Sequence, residues 1–243
     1  MLSDLPCRSA AIMQPYFFPW LGYFSLIKHA DEFILFDPVQ FRRHGWIERN
    51  RILKQGEGWL YIKVPLVKHP LDTAIKDVLI DESQAWRDKI LAQLVVYKRL
   101  SRRYEEVSGM VRAAIAPPFT SIVDLNRHVL KVVCRYLGFE RKLPVWSSMG
   151  IEIKTPAAPD EWALDTCKVL GGFAEYWNPP GGESFFDRSK YEQAGIKLRF
   201  HQQQVRPYNQ RGEQFEPALS IIDVLMFNSV EEVNRMLDDY ALT

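Results

Sequence analysis

The stretch IMQPYFFPWLGYFSLIKHADEFILFD, residues 12–37, decides the fold. The apolar run SAAIM at residues 9–13 predicts a buried strand, Leu21 to Ala30 have the apolar spacing of a helix, and EFILFD predicts a second buried strand. A strand, a helix and a strand within about 28 residues predict a βαβ unit, whose two strands are parallel.

The corner between the first strand and the helix is rich in aromatic side chains, where a simple turn would use Gly, Asn and Asp. Ligands of parallel sheets bind beyond the carboxyl ends of the strands. Four polar residues fall at that edge: Gln14, Tyr16, Asp37 and Gln40. We predict that together they bind a polar substrate, although loop capping is an equal alternative for each of them alone.

The remaining pattern alternates strands and helices. It predicts a short helix after residue 46, strands at 59–67 and 74–81, helices at 83–107, 107–115 and 119–138, a helix between Pro159 and Gly171, strands at 173–178 and 196–205, and two helices over 218–229 and 230–242. The predicted fold class is α/β, a Rossmann-like parallel sheet. Residues 1–243 form one domain in this interpretation, with a helical portion inserted at about residues 83–138.

Further residues suit a phosphate or sugar ligand. Arg42, Arg49 and Arg51 can clamp phosphates, and a solvated surface is the alternative role. The helix N-terminus at Gly22 suits an anion. The loop NPPGGESFFD can approach a ligand closely through Gly181 and Gly182, or be a plain hairpin connection. Additional substrate-binding candidates are Trp20, Tyr23, Asn50, Gln210, Ser220 and Asp223, of which Ser220 can also cap a helix.

Composition excludes several classes of protein. The 243 residues carry a net charge of only +1, so bulk charge supports neither a nucleic-acid nor a membrane-surface role. The three cysteines form no CxxC, and the five histidines have no metal-ligand spacing, so no metal is expected. No secretory signal opens the chain and no apolar stretch would span a membrane. A cytoplasmic protein is therefore expected, with its oligomeric state left open.

Three segments together resemble the WbqC-like protein family of bacteria, over essentially the whole chain: residues 12–53, NPPGGESFF at 178–186 and LSIIDVLMFN at 219–228. The resemblance implies an accessory enzyme of surface-polysaccharide and O-antigen gene clusters.

A more distant similarity connects WLGYFSLI with the HxGH class of nucleotidyltransferases, which includes pantothenate synthetase and has the HUP-type fold. Gly22 matches the glycine of the motif, while Trp20 and Tyr23 stand where its two histidines would be. DPVQF, residues 37–41, resembles the NPxQF segment of pantothenate synthetase. Trp and Tyr supply no cation to a phosphoryl group, so the similarity implies a nucleotide-shaped pocket rather than the usual nucleotidyl transfer.

These observations lead to one functional hypothesis and two alternatives. The chain is expected to be a transferase that moves an acyl, aminoacyl or amino group onto a nucleotide-activated or lipid-linked sugar, with Asp37 as catalytic base. The alternatives are a nucleotide-binding or scaffold protein without turnover, and an ATP-dependent ligase. The expected ligand is a nucleotide or nucleotide-sugar, with donor and acceptor unspecified.

Overall fold

The computed structural model describes residues 8–212 and 214–243. The start of the chain, where no secretory signal is expected, and Cys7, one of the three cysteines, lie outside the described residues. The strands of this part of the chain are β1 Ser9–Met13, β2 Glu32–Leu35, β3 Arg49–Leu53, β4 Trp59–Lys63, β5 Glu175–Asn178, β6 Lys197–Gln203 and β7 Tyr240–Leu242. The α-helices are α1 Leu21–His29, α2 Trp86–Gln93, α3 Tyr104–Ile115, α4 Ile122–Tyr136, α5 Glu161–Leu170, α6 Arg188–Gln193, α7 Ile221–Phe227 and α8 Val230–Leu237.

The predicted βαβ unit at the start of the chain is confirmed. β1 and β2 pair in parallel, with Met13 opposite Leu35, and α1 connects them. Every residue of α1 from Leu21 to Ile27 is buried, because the helix packs against both β6 and α8. A helix enclosed on all sides needs apolar residues all round, which explains the density of aromatic and aliphatic residues in this stretch.

The central sheet is mostly parallel and confirms the α/β fold class. Its strand order is β2-β1-β5-β6-β7, and only β7 runs antiparallel to its neighbour. Side chains alternate between two hydrophobic clusters, because successive residues of a strand face opposite sides. Ala11 packs with the cluster that contains α1, whereas Ala10 and Ile12 pack with the cluster that contains α5 and α6.

The position of β1 creates a topological switch point. β1 lies between β2 and β5, so the chain leaves it toward one side of the sheet and later returns on the other. In open α/β sheets the crevice outside the carboxyl ends of two such strands is the usual ligand site. The ends of β1, β2 and β5 therefore define the edge at which a functional site is expected.

The long helix predicted at residues 83–107 is interrupted. α2 ends at Gln93, a tighter 3-10 helix runs from Leu94 to Arg99, and α3 begins only at Tyr104. Hydrogen bonds to α7 hold the interruption, since Tyr97 donates to the Asp223 carboxylate and Ser101 donates to a carbonyl oxygen. The helices predicted at 107–115 and 119–138 correspond to α3 and α4, and Ser121 caps α4 by accepting from the Val123 N–H.

The short helix predicted after residue 46 is wrong, since residues 49–53 form strand β3. β3 and β4 pair as an antiparallel hairpin, with Arg49 opposite Lys63. Gly56 and Gly58 have φ of +88° and +77° at the hairpin tip, a left-handed backbone that favours glycine. Asn50 and Ile52 are buried while Arg49 and Arg51 are half-buried, so the alternation is that of a strand.

Two further elements differ from the prediction. The strand predicted at 74–81 contains a 3-10 helix, Ile75–Asp77, because its first N–H groups bond to carbonyls of Val39 and Asp37 instead of a strand ladder. The helix predicted at 230–242 ends at Leu237, and the last residues form β7 against β6. The pairing with β6 gives the backbone of this terminal segment its partners and closes that side of the sheet.

Candidate functional site

The carboxyl edge of β1, β2 and β5 brings part of the predicted site together. Gln14 follows β1, Asp37 follows β2 shortly after its end, and Asn178 ends β5. The pairing of β1 with β2 continues past the strands, because the N–H of Phe36 donates to the carbonyl of Met13 at 2.7 Å. The Gln14 side chain is half-buried and forms no hydrogen bond with the described residues, so its amide is available to a ligand.

Asp37 is buried and holds an exposed serine. Asp37 is only 1% exposed. One carboxylate oxygen accepts a hydrogen bond from the backbone N–H of Ser147 at 3.0 Å, and the other accepts one from the Ser147 hydroxyl at 2.6 Å. Ser147 itself faces solvent. The predicted catalytic carboxylate therefore contacts solvent-exposed groups only through the Ser147 hydroxyl. The sequence pattern gave Ser147 no role.

The glycine loop after β5 folds against the same edge. Pro180–Phe185 form a 3-10 helix, and Gly181 has open space around it. A methyl group on Gly182 would overlap Nδ2 of Asn178 and lie 3.0 Å from the ring of Phe186. Gly182 is therefore required for close packing at the end of β5, and the predicted close approach of this loop to a ligand stays a prediction.

The loop between β1 and α1 is held by side chains from distant parts of the chain. Four of its carbonyl oxygens accept hydrogen bonds from side chains. Asn126 donates to Pro15 and Asn50 donates to Phe17. Ser220 donates to Phe18, and the Tyr23 hydroxyl donates to Gln14. Buried backbone oxygens need such partners in a loop without a strand ladder. Asn50, Ser220 and Tyr23 were predicted to bind substrate, and here they satisfy the backbone of the site's own loop.

Three aromatic residues around the helix start, Tyr16, Trp20 and Tyr23, have packing roles. The Trp20 indole covers Gly22 so closely that a methyl group there would overlap the ring. Tyr16 is half-buried, with its ring centroid 5.4 Å from that of Tyr23, and burial raises the pKa of both phenols. Neither phenol therefore supplies charge at neutral pH.

The predicted arginine clamp lies mainly on the hairpin. Arg49 stacks over Tyr61 with its guanidinium carbon 4.0 Å from the ring centroid, and donates to the carbonyl of His44. Arg42 is exposed, and Gln40 donates to the carbonyl of Leu71 at 2.6 Å. No described contact joins these side chains to Gln14 or Asp37, so the structure does not bring them into the same cluster.

A second polar cluster surrounds Asp223. The carboxylate is fully buried and accepts hydrogen bonds from Tyr97 at 2.7 Å, Tyr208 at 2.5 Å and Gln210 at 2.7 Å. Burial raises the pKa of Asp223 to about 6, and the three donors oppose that rise. The sequence prediction included Gln210 and Asp223 but missed both tyrosines. Tyr97 falls in a predicted amphipathic helix, where it predicts only core, and Tyr208 falls in a loop whose partner is not visible in the sequence.

A cavity of about 100 Å³ adjoins this cluster. It lies where α1 begins and β6 ends, and its walls include Trp20, Leu21, Val205, Tyr208, Leu219 and Val224. Tyr208 is common to the cavity wall and the Asp223 cluster, so the two are in direct contact. The walls are mainly apolar and suit a small apolar group rather than a phosphate.

The described chain shows neither a cluster of metal ligands nor a membrane-spanning helix. Within residues 8–212 and 214–243, no three His, Cys, Asp or Glu side chains converge as metal ligands would. No helix of the described chain is long and apolar enough to cross a bilayer.

Comparison with known proteins places the chain among relatives whose chemistry is not established. The sequence model of the WbqC-like protein family matches residues 14–235. The uncharacterized protein Rv1507c of Mycobacterium tuberculosis is 31% identical over 224 residues, which cover 91% of this chain and 94% of that protein. No solved structure is significantly similar to the chain.

Proposed function

This chain belongs to the WbqC-like protein family, and from that membership we propose that it is a cytoplasmic transferase of bacterial surface-polysaccharide and O-antigen biosynthesis. The substrate is a nucleotide-activated or lipid-linked sugar, and the transferred group is an acyl, aminoacyl or amino group. The observation that carries the proposal is the Ser147 hydroxyl, which is exposed just beyond the carboxyl end of β2 and hydrogen-bonded to the buried Asp37 carboxylate.

Asp37 acts as the base through Ser147 in this proposal. For acyl or aminoacyl transfer, the amine or hydroxyl of the sugar attacks the carbonyl carbon of the donor. Its proton passes to Ser147 Oγ as the serine proton passes to Asp37, across the existing 2.6 Å hydrogen bond. When the carbon–leaving-group bond breaks, the leaving group takes the proton back by the same route, so both residues return to their initial state.

Other residues orient the substrate. Gln14 offers its free amide, and Asn178 with the glycine loop forms the opposite side of the crevice. The distant similarity to HxGH nucleotidyltransferases supports a nucleotide at this edge. Because Trp20 and Tyr23 replace the two histidines, we do not include nucleotidyl transfer in the proposal.

One observation favours a protein without turnover. Both oxygens of Asp37 already have partners, so a capping role for the 3-10 helix Trp146–Ser148 would account for the same geometry. A scaffold or nucleotide-binding protein would then keep the crevice without the chemistry. An ATP-dependent ligase would show the same crevice and require ATP as donor.

The test combines binding and turnover. Thermal-shift screening against nucleotides, nucleotide-sugars and acyl donors identifies ligands, since binding to the native state raises the apparent melting temperature. With the substrates found, Ser147→Ala is expected to lower kcat about a hundredfold or more, the scale of general base catalysis. Ser148→Ala is the matched control, because Ser148 is also exposed and has no side-chain hydrogen bond with the described residues. Equal kcat in both variants would refute the role of Ser147, and binding without turnover would favour the scaffold.

A further inference from the structure

The hairpin and the loops beside it carry a local excess of positive charge. Between residues 42 and 71 there are seven Lys or Arg and only two acids, Glu48 and Glu57, in a chain with a net charge of +1. Glu48 is buried, where it accepts from the N–H of His44. Among the described residues, none of the seven cations forms an ion pair with a carboxylate. Their charge is therefore available to an anionic partner.

Aromatic rings hold two of these cations in place. The guanidinium carbon of Arg51 lies 5.3 Å from the ring centroid of Trp46 and 5.1 Å from that of Trp59. Arg49, two residues away on the same side of β3, stacks on Tyr61. The stacked guanidinium groups lose little further freedom when they bind, so the surface is organised in advance.

Large apolar side chains are exposed beside the cations. Trp46 and Trp59 are each 38% exposed, Val67 is 45% exposed and Leu71 is 71% exposed. The segment at 67–71 lies against the residues after β2, because Arg43 donates to the carbonyl of His69. Residues 42–46, the outer side of β3 and β4, and residues 67–71 thus form one region, which we term the basic aromatic surface.

We propose that the basic aromatic surface docks this protein onto an anionic phospholipid membrane, without any segment crossing it. Lys and Arg near a membrane attract acidic lipid headgroups, while Trp prefers the level of the headgroups. Aliphatic side chains such as Leu71 gain by entering the boundary of the acyl chains. The inference goes beyond the proposed function and stands or falls separately from it.

A nucleic acid fits the same surface less well. Single-stranded nucleic acid binds through bases that stack on open aromatic faces, but the Arg51 guanidinium covers a face of Trp46 and of Trp59. Exposed Val67 and Leu71 offer bases no stacking partner.

The surface also begins five residues after Asp37, so a docked protein would hold its candidate site close to the membrane, where a lipid-linked sugar resides.

The experiment measures co-sedimentation of the full chain with vesicles. We expect binding to vesicles of equal parts phosphatidylglycerol and phosphatidylcholine, weaker binding to phosphatidylcholine alone, and loss of binding at high salt. Arg42→Gln/Arg43→Gln should lower the partition coefficient roughly ten- to thirtyfold, from the usual contribution of each basic residue near an acidic membrane. Leu71→Ser should weaken binding as well, through lost apolar contact.

Arg102→Gln/Arg112→Gln is the matched control. Both arginines are exposed, and neither forms an ion pair with the described residues. Absence of binding to the anionic vesicles, or equal loss in the two double variants, would overturn the proposal. Tighter binding to a single-stranded oligonucleotide than to the vesicles, abolished by Arg42→Gln/Arg43→Gln, would overturn it in favour of nucleic acid. Neither outcome touches the kcat of the Ser147 variants, so this proposal and the proposed function fail independently.

Discussion

The hydroxyl of Ser25 accepts a hydrogen bond from Nε2 of His201 at 3.0 Å while it donates its own proton to the carbonyl oxygen of Leu237 at 2.6 Å. A hydroxyl has one proton, so the ring nitrogen must carry the N–H of this contact. His201 is buried, and burial lowers its pKa to about 4. The pair therefore links α1, β6 and the end of α8 and does not form an activated nucleophile.

The first prediction follows from the neutral state of His201. As pH falls from 6.5 to about 4, His201 becomes protonated in the unfolded chain but stays neutral in the folded protein. Through this residue, acid therefore lowers the free energy of unfolding by about 3 kcal/mol. In His201→Gln that contribution is absent. We compare the free energy of unfolding of the variant with that of the wild type by urea denaturation. The difference, variant minus wild type, should rise by about 3 kcal/mol as pH falls from 6.5 to about 4. A difference that stays constant with pH would contradict it.

Asp223 should have the opposite pH dependence. Its pKa is 3.8 ordinarily and about 6 in the fold, so the unfolded chain loses its proton first as pH rises. Through this residue, stability present below pH 3.8 is lost as pH rises through 6, again by about 3 kcal/mol. We expect Asp223→Asn to remove this loss, so that the variant gains on the wild type between these values. Tyr208→Phe, which keeps the carboxylate but removes one donor that lowers its pKa, is the control and should retain or enlarge the pH dependence.

The contact between Trp20 and Gly22 predicts a rescue. Gly22→Ala should destabilise the fold by about 1 to 3 kcal/mol, because the methyl group overlaps the indole. When Gly22→Ala is added to the Trp20→Ala variant, it should cost less than half as much, since the indole that the methyl group would overlap is absent. Gly109→Ala in α3 is the control, because it meets open space and should stabilise by about 0.5 to 1 kcal/mol. Additive losses in the double variant, measured by chemical denaturation, would show that Trp20 is not the obstruction.

The sequence predicts the parts of this fold that depend on local pattern. The βαβ unit, α4, α5 and β6 all have long apolar periodicity or clear end signals, and all are confirmed. β3 was predicted as a helix because its charged residues and its short length suit either structure. Residues 49–53 form a strand because they pair with β4 in an antiparallel hairpin.

Long-range partners explain what the sequence could not show about the site. The pattern finds Asp37 at the end of a strand, but Ser147 lies 110 residues away and meets it only through the fold. Asn126 was not singled out from the sequence and Asn50 was predicted to bind substrate, since neither role is visible until the loop whose carbonyls they satisfy is in place. The substrate-binding roles predicted for Gln14, Gln40 and the arginines depend on a ligand and stay predictions.

Asn126 supports a further prediction about the loop before α1. Its amide nitrogen donates to the carbonyls of Pro15 at 2.8 Å and Ile47 at 2.9 Å, and it is fully buried. Asn126→Ala should cost about 2 to 4 kcal/mol of unfolding free energy, because two buried acceptors lose their donor. Asn126→Asp should cost still more at neutral pH, since a carboxylate would face two carbonyl oxygens. Asn209→Ala removes one exposed hydrogen bond, from the Arg211 N–H, and should cost at most about 1 kcal/mol. Equal costs for the two Asn126 variants would refute the donor role.

The adjacent glycines after β5 allow the candidate site to be tested without knowing its ligand. Neither Gly181 nor Gly182 has a left-handed backbone, so alanine strains neither one. A methyl group at Gly181 meets open space, whereas one at Gly182 displaces the Asn178 amide from the end of β5. We expect Gly182→Ala to lower the melting temperature and to abolish the thermal shift produced by whichever nucleotide-sugar stabilises the wild type, while Gly181→Ala retains both. Combining Gly182→Ala with Asn178→Ala should restore part of the melting temperature but not the ligand shift. The overlap with the Asn178 amide is relieved, the close contact with the Phe186 ring remains, and the amide is missing. A ligand shift that survives in Gly182→Ala would place the nucleotide-sugar away from the crevice between β1 and β5.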